Sequence, residues 1–283
     1  MAGSARIWRH RTGEIVLDRT RVMGVLNVTP DSFADGGRYF DAEAALRHGV
    51  EMVDQGADLL DVGGESTRPG SDPVSGEEEW RRIGPVIRGL AGKVDVPLSV
   101  DTMKPDVAAQ AIEAGASIVN DVSGLQDPAM VRLVAERRVG VVAMHMLGNP
   151  KTMQEHPVYT HVVKEVRSFL ASRARALKAA GVAADAIAID PGVGFGKTLK
   201  HNLDLLRDLD RLVSLGHPVV VGVSRKSFIE RLAGGGTGDR LPGSLAAASF
   251  AVANGAHVVR VHDVSETVRA MRVGDALRRG EKL

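Results

Sequence analysis

Short runs of apolar, mostly β-branched residues alternate along the chain with longer stretches in which apolar residues recur every three or four positions. The short runs are typical of buried strands, and the longer stretches of amphipathic helices. Eight strands are predicted, at Val22–Leu26, Leu59–Val62, Leu98–Val100, Ile118–Val119, Val139–Met144, Ile187–Ile189, Val219–Val223 and Val258–Val261. Eight helices are predicted after them, near residues 41–55, 77–90, 105–114, 128–137, 158–180, 200–214, 242–254 and 264–279.

This alternation of strands and helices predicts an α/β fold with a parallel sheet. Eight such units in 283 residues favour a single closed (β/α)8 TIM barrel, a fold that typically uses about 250 residues. A doubly wound open sheet shares the alternation and is the alternative. The segment Ile7–Leu17, with Thr12 and Gly13 at its centre, predicts a short hairpin. We therefore expect residues 1–20 to form an N-terminal hairpin extension and residues 21–283 to form one catalytic barrel.

The composition excludes several kinds of chemistry and partner. The chain has no cysteine, which excludes disulfides, catalytic thiolates and cysteine-bound zinc. Lysine and arginine number 36 against 35 acidic residues, so there is no electrostatic reason to expect nucleic acid or a membrane as a partner. The longest apolar stretch, Leu245–Ala253, is far shorter than the roughly 18 residues of a membrane span. No apolar run follows the basic N-terminal residues, so we expect a cytoplasmic protein.

A polar or charged residue stands at the end of every predicted strand. Active sites of such barrels lie at the carboxyl ends of the strands, so these residues are predicted to share one rim. They are Asn27, the run Gly63–Arg68, Asp101, Asn120 with Asp121, His145, Asp190, the run Ser224–Ser227, and Arg260 with His262 and Asp263. Each one alone has an ordinary interpretation as a helix cap or turn residue. Capping does not require arginine, lysine and histidine as well, so the set together predicts a functional site.

Some of these residues suit an anion and a hard metal ion. Arginine presents a planar fork that matches phosphate oxygens. Asparagine supplies a neutral oxygen of the kind that Mg²⁺ accepts, and phosphate and water then complete the octahedron. The predicted anion and Mg²⁺ site consists of Asn27, Arg68, Arg260 and His262, with Asn27 as the metal ligand.

Others suit a flat ring and a carboxylate. Asp101, Asn120 and Asp190 offer acceptors and an amide, which match a heterocycle with several N–H groups. Lys226 with Ser224 can hold a carboxylate.

The run Gly192–Thr198 resembles a phosphate-binding loop but is not predicted to be one. That pattern needs a glycine five positions before the glycine of Gly-Lys-Thr, and Pro191 occupies the position. We expect the glycines instead to let the backbone approach a ligand ring closely.

Longer motifs in the chain resemble the dihydropteroate synthase family. Met23–Phe33 resembles the first signature of the family, and Asp61–Gly70 resembles the second. Further matches follow in order at Ser99–Thr102, Asn120–Asp121, Met144–Gln154, Asp190–Gly192, Ser224–Ser227 and Arg260–Val264. The resemblance covers about residues 21–275 and shows no departure at a position that the family uses.

The resemblance implies a transferase of folate biosynthesis. Such an enzyme condenses 6-hydroxymethyl-7,8-dihydropterin diphosphate with para-aminobenzoate, and it forms 7,8-dihydropteroate and diphosphate with Mg²⁺ as cofactor. The resemblance also implies that sulfonamides compete with the aminobenzoate, and that the chain is a homodimer through helices of its C-terminal half. Neutralising the diphosphate would let it leave early, so that the amine attacks a cation stabilised by the pterin.

The resemblance also implies roles for individual residues. The catalytic residues would be Asp101, Lys226, Arg68, Arg260 and His262. The substrate-binding residues would be Asn27, Thr67, Arg68, Asp101, Asn120, Met144, Asp190, Phe195, Gly222, Lys226, Ser227, Arg260 and His262. The side facing the aminobenzoate would comprise Phe33, Thr67, Pro69, Phe195, Lys226 and Ser227.

Two other functions share part of this pattern. A pterin-binding methyltransferase, which passes a methyl group from a folate to a corrinoid, would use similar pterin-binding residues. It would have no use for Arg68, Lys226 or the pair Arg260 and His262. A non-catalytic pterin-binding homologue should have lost residues of the anion site, and this chain keeps all of them.

Overall fold

A computed structural model describes residues 6–29, 42–67, 70–234 and 240–279. Its strands are β1 (Ile7–His10), β2 (Gly13–Val16), β3 (Arg21–Asn27), β4 (Leu59–Gly63), β5 (Leu98–Asp101), β6 (Ile118–Asp121), β7 (Gly140–Met144), β8 (Ile187–Asp190), β9 (Val220–Gly222) and β10 (Val258–Val261). Its helices are α1 (Ala42–Asp54), α2 (Gly76–Ala91), α3 (Pro105–Glu113), α4 (Pro128–Arg137), α5 (Val162–Ala179), α6 (Leu199–Arg207), α7 (Asp210–Val213), α8 (Ser227–Ala233), α9 (Leu241–Ala253) and α10 (Val264–Arg279). Within the described ranges, no helix is long and apolar enough to cross a membrane.

The eight strands β3 to β10 form a ring. They pair in parallel in the order β8-β7-β6-β5-β4-β3-β10-β9. A parallel bridge between Ile189 and Val219 joins the two ends, where the Ile189 amide donates to the Pro218 carbonyl at 2.9 Å. The ring confirms the predicted TIM barrel and excludes the open doubly wound sheet.

Three features of the helices differ from the prediction. The helix expected near 158–180 begins only at Val162, and the one expected near 200–214 is divided into α6 and α7 around Asp208. Helix α8 is not predicted from the sequence. It has only seven residues and buries Phe228 and Ile229, so it is too short to display a helical period.

The two-residue period of the strands sorts apolar side chains onto two faces of the barrel. Outward residues such as Leu60 and Val62 of β4 pack in the core cluster that includes the helices. Inward residues form a separate cluster inside the barrel, made of Met23, Leu59, Ile118, Val142, Ala188, Val220 and Val258. The lumen is therefore a packed core and not a channel.

The N-terminal hairpin closes the amino end of this lumen. Strands β1 and β2 pair in antiparallel fashion, and the turn consists of Arg11 and Thr12, one position earlier than predicted. Trp8 and Ile15 belong to the lumen cluster. The indole of Trp8 is fully buried and donates to the carbonyl of Ala186, directly before β8, at 3.1 Å. The hairpin thus contributes core side chains to the barrel.

Replacing Trp8 with alanine should lower the free energy of unfolding by about 3–5 kcal/mol, because it leaves a cavity at the base of the lumen. Denaturant-induced unfolding measures this loss. Val16→Ala is the matched control on the same hairpin, since Val16 is 36% exposed, and its effect should stay within about 0.5 kcal/mol. Similar small losses in both variants would contradict the assignment of the hairpin to the core.

Candidate active site

The alternation that buries the lumen cluster also directs the predicted site residues inward. Every second side chain of a strand faces the same side of the sheet. We therefore count in twos towards the carboxyl ends, starting from the lumen residues or from residues in register with them on the neighbouring strand. The residues reached in this way are Asn27, Asp101, Asn120, Met144, Asp190, Gly222 and Arg260. Across the strands, Asn27 is in register with Gly63, Gly63 with Asp101, and Asp101 with Asn120. The predicted rim residues on these strands are therefore neighbours across the sheet.

Most of these side chains line one cleft, which contains about 320 Å³ of empty space, part of it open to solvent. Its lining consists of Asp101, Asn120, Val122, Met144, Asp190, Gly192, Val193, Phe195, Gly222, Lys226 and Arg260. Eight of these are residues predicted from the sequence. The others, Val122, Gly192 and Val193, supply backbone and apolar wall. In the sequence the two valines resemble core residues, whereas Gly192 belongs to the run Gly192–Thr198, whose glycines are expected to approach a ligand.

Arg260 is the centre of the charge network on the wall of the cleft. Its Nε donates to Oδ2 of Asp61 at 2.6 Å, and its Nη2 donates to Oδ2 of Asp101 at 2.7 Å. Asn120 donates through Nδ2 to the same Asp61 oxygen at 2.9 Å. Asp61 is fully buried, and a carboxylate at that depth is tolerated only when it is paired and hydrogen-bonded.

Asp61 is a site residue that sequence reasoning missed. It lies inside an apolar strand, and in the sequence it stands out only as the first residue of the run Asp61–Gly70, which resembles a family signature. Its position in the strand indicates that it faces the lumen, because residues two apart on a strand face the same side and Leu59 faces the lumen. A charge facing a closed lumen implies an inward-facing cation on another strand.

Burial changes the protonation of the two carboxyl groups that line the cleft. It raises the pKa of Asp101 to about 7, while the charge of Arg260 acts against this rise and that of Asp61 adds to it. Burial also raises the pKa of Asp190, opposed by the amide of Gly192, which donates to its Oδ1 at 2.7 Å. Asp101 therefore titrates near neutral pH.

Lys226 forms the opposite side of the network. Its Nζ donates to the carbonyl of Val193 at 2.8 Å and lies 4.0 Å from the centroid of the Phe195 ring, which is a cation–π contact. Burial lowers the pKa of Lys226 to about 8, although the charge of Asp190 acts in the other direction. The cleft thus presents an ammonium group on an aromatic face, beside a carboxylate.

Four other predicted residues lie outside this lining. Asn27 ends β3, Thr67 is half-buried in the loop after β4, and Ser227 is exposed at the start of α8. His262 follows β10, with its Nδ1 at 3.0 Å from Oγ of Ser224. Burial lowers the pKa of His262 to about 3, so its imidazole is neutral at physiological pH.

Phe33, Arg68 and Pro69 lie outside the described residues. In the part of the chain that is described, no three His, Cys, Asp or Glu side chains form a group that could hold a metal ion. The predicted ligand Asn27 offers a single neutral oxygen. Such a donor fits Mg²⁺ only if phosphate and water supply the rest of the octahedron.

Two glycines of the run Gly192–Thr198 lie close to backbone carbonyl groups of another loop, and the third, Gly194, lies against the side chain of Lys226. A Cβ atom on Gly192 would lie 1.9 Å from the carbonyl oxygen of His145, and one on Gly196 would lie 2.6 Å from that of Leu147. Both glycines also have positive φ, at 65° and 61°. Close approaches at these two glycines are made to the loop after β7. Gly192 also lines the cleft, so the approach of its backbone to a ligand ring stays a prediction.

Replacing Asp61 with asparagine should lower the free energy of unfolding by about 3–5 kcal/mol, because it removes one carboxylate from the buried Arg260 network. Denaturant-induced unfolding gives the value. Ser99 is the control, since it is in register with Asp61, is buried, and its Oγ has no hydrogen-bond partner within the described structure. Ser99→Ala should change stability by less than about 1 kcal/mol. Equal effects of the two substitutions would contradict the role given to Asp61.

Known proteins resemble this chain along almost its whole length. The sequence model of a family described as pterin binding enzyme matches residues 23–262. The dihydropteroate synthase of Escherichia coli (strain K12) is 47% identical over 260 residues, which are 92% of this chain and 92% of that protein. The dihydropteroate synthase of Xanthomonas albilineans, solved with 4-aminobenzoic acid, is 47% identical with a TM-score of 0.91 and covers 97% of this chain and 98% of its own.

A second solved structure has the same fold. The dihydropteroate synthase of Yersinia pestis, in a sulfonamide drug complex, is 43% identical with a TM-score of 0.91, covering 97% of this chain and 100% of its own. The family match and these identities agree with the barrel and its cleft, and the chain belongs to the dihydropteroate synthase family of pterin-binding enzymes.

Proposed function

We propose that this chain is a transferase that condenses 6-hydroxymethyl-7,8-dihydropterin diphosphate with para-aminobenzoate to give 7,8-dihydropteroate and diphosphate. The single observation that carries this proposal is the set of acceptors and donors, Asp101, Asn120 and Asp190, in one narrow cleft with Lys226 and Arg260. A flat pterin with several N–H groups and ring acceptors can pair with such a set. Family membership supports the reaction.

The test is direct. Purified protein supplied with the pterin diphosphate, para-aminobenzoate and Mg²⁺ should form dihydropteroate and release an equal amount of diphosphate. Transfer of a methyl group from a methylated folate to a corrinoid would support the methyltransferase instead. Pterin binding without either reaction would support the non-catalytic homologue.

The protein's contribution to the reaction is electrostatic and positional. The bond between the pterin methylene carbon and the diphosphate oxygen breaks, and a bond forms from that carbon to the aminobenzoate nitrogen, which loses a proton. Asp101, as a carboxylate, stabilises the positive charge that develops on the pterin. Arg260 holds Asp101 through Nη2, and its Nη1 makes no hydrogen bond to the described residues. We assign this remaining donor and the neutral imidazole of His262 to the departing diphosphate.

The aminobenzoate is proposed to lie on the Lys226 side of the cleft. The ammonium of Lys226 offers a partner for its carboxylate, and the ring of Phe195 lies directly beside that ammonium. Thr67 lies in the loop that follows β4, and Ser227 is the first residue of α8, after β9. Phe33 and Pro69, which lie outside the described residues, stay predicted members of this side.

We propose that Mg²⁺ binds together with the diphosphate, with Asn27 as its ligand from the protein. Bound Mg²⁺ would neutralise negative charge on the leaving group. Asn27 suits this role because it ends β3 in register with Gly63, whose register partner on β5 is Asp101.

A homodimer through the C-terminal half is also proposed. The outward side of α9 is apolar, with Pro242, Ala246 and Phe250 exposed at intervals of four residues. The neighbouring helix α10 exposes Val273 and Leu277 at the same interval. Exposed apolar strips on adjacent helices are typical of surfaces that pair. A cytoplasmic location stays a prediction.

The pH dependence of kcat/KM for the pterin diphosphate should be bell-shaped. Below about pH 7, Asp101 gains a proton and loses the charge that the cation needs. Above about pH 8, Lys226 loses its proton, and with it the charge that faces Asp190. Asp101→Asn should remove the acid limb, and Lys226→Arg, which stays charged, should remove the alkaline limb even if the rate falls. An alkaline limb that persists in Lys226→Arg would reject Lys226 as its origin.

Asn27→Ala should raise the Mg²⁺ concentration for half-maximal turnover by about tenfold or more, because the ion loses its ligand from the protein. Steady-state rates across a Mg²⁺ titration measure the shift, and circular dichroism checks the fold. Asn254→Ala is the control, since Asn254 directly follows the last residue of α9, at the opposite end of the barrel. Full turnover of Asn27→Ala in excess EDTA would remove the metal from the mechanism.

A further inference from the structure

Lys197 is a buried lysine to which the proposed reaction assigns no role. It is only 3% exposed. Its Nζ lies 3.1 Å from Nδ1 of His145, 3.2 Å from the carbonyl oxygen of His145 and 2.9 Å from that of Phe195. Burial lowers the pKa of Lys197 to about 7. Its ammonium form has three N–H donors, which match the two carbonyl oxygens and, in the tautomer whose Nδ1 carries no proton, the imidazole of His145. Lys197 itself does not line the cleft, whereas Phe195, whose carbonyl it binds, does.

The acceptors belong to two different loops. His145 follows β7, and Phe195 lies in the loop after β8. The backbones of these loops touch at Gly192 and Gly196, and the amide of His145 donates to the carbonyl of Asp190 at 3.0 Å. Lys197 therefore joins the two loops across a contact that glycine makes possible.

The loop after β8 controls the charged groups of the cleft. Its Gly192 amide binds Oδ1 of Asp190, its Val193 carbonyl accepts from Lys226, and its Phe195 ring lies against the Lys226 ammonium. A displacement of this loop would therefore change the contact to the Asp190 carboxylate and the contacts to the Lys226 ammonium together. The carbonyl of Phe195 is held by Lys197, so the backbone that carries this ring is held too.

Simple packing does not require a lysine at this position. Burying an amine has a large desolvation cost, and an apolar side chain of similar volume is often neutral or stabilising in its place. The lysine makes directional bonds that an apolar side chain cannot make. That difference points to a role in geometry.

We propose that Lys197 is a positioning residue that fixes the loop after β8, and thereby sets Phe195 against Lys226 and Gly192 against Asp190. The inference rests on the proposed function. It concerns only the pterin and aminobenzoate side of the site. The diphosphate side, with Asn27 on β3 and His262 after β10, lies on other strands and should not depend on Lys197.

The test compares Lys197→Met with wild type. Methionine keeps most of the length and volume but donates no hydrogen bond. The dissociation constant of 6-hydroxymethylpterin, measured by calorimetry, and the KM for para-aminobenzoate should each rise at least about tenfold. The inhibition constant of inorganic diphosphate with Mg²⁺ should change less than about twofold. A loss of pterin and aminobenzoate affinity without a loss of diphosphate affinity is not expected from a general loss of stability.

Lys200→Met is the matched control. Lys200 lies three residues further on in α6, its side chain is 81% exposed, and it pairs with Asp204. This variant should match wild type in all three constants. If Lys197→Met does not accumulate as folded protein, Lys197→Gln, which keeps an N–H donor without charge, should show the same selective loss in weaker form.

A double-mutant cycle with Phe195→Leu tests the route of the effect. If Lys197 acts through Phe195, the two substitutions should raise the aminobenzoate KM less than the product of their separate effects. Unchanged pterin affinity in Lys197→Met, or an equal loss of pterin and diphosphate affinity, would overturn the inference. Failure of the proposed function would show as no dihydropteroate from wild type, while the pterin-binding comparison would still report on Lys197.

Discussion

Burying several carboxylates inside a closed barrel requires cations among them, and the functional end of this molecule is arranged around that requirement. Arg260 reaches Asp61 and Asp101 from one position, because its planar guanidinium presents donors in fixed directions. Lys226 supplies positive charge near Asp190 on the other side. Without these cations, desolvation would hold the carboxyl groups in their neutral forms. The pairing therefore decides which charges a ligand meets in the cleft.

The same two-residue period serves both halves of the lumen. At the amino end it directs apolar side chains inward, where Trp8 and Ile15 of the hairpin pack with them. At the carboxyl end the next inward positions are polar. Apolar packing at one end supports the wall, so that the costly polar layer at the other end keeps a defined geometry. Stability and chemistry are thus separated along the axis of a single barrel.

The outer part of the cleft depends on loops rather than on strands. The loops after β7 and β8 lie backbone to backbone, which Gly192 and Gly196 permit because a Cβ atom on either would collide with a carbonyl oxygen. Lys197 bonds both loops at this contact. Placement of Phe195 against Lys226 is consequently a property of two loops together. A loop that is held by its neighbour keeps a binding side chain in place without a strand beneath it.

The sequence by itself determined the strand and helix alternation, the number of units and the residues at the strand ends, because period and chain order are local properties. Asp101, Asn120, Asp190, Lys226 and Arg260 could be grouped from those facts alone, and the structure places them in one cleft. Tertiary structure alone decided how these groups are paired. The bond between Arg260 and Asp61 joins residues 199 positions apart, and no local pattern encodes which inward side chains meet. The hairpin's place in the lumen, the short helix α8 and the backbone contacts behind the glycines were likewise decided in three dimensions, since each depends on what lies opposite a residue and not on what precedes it.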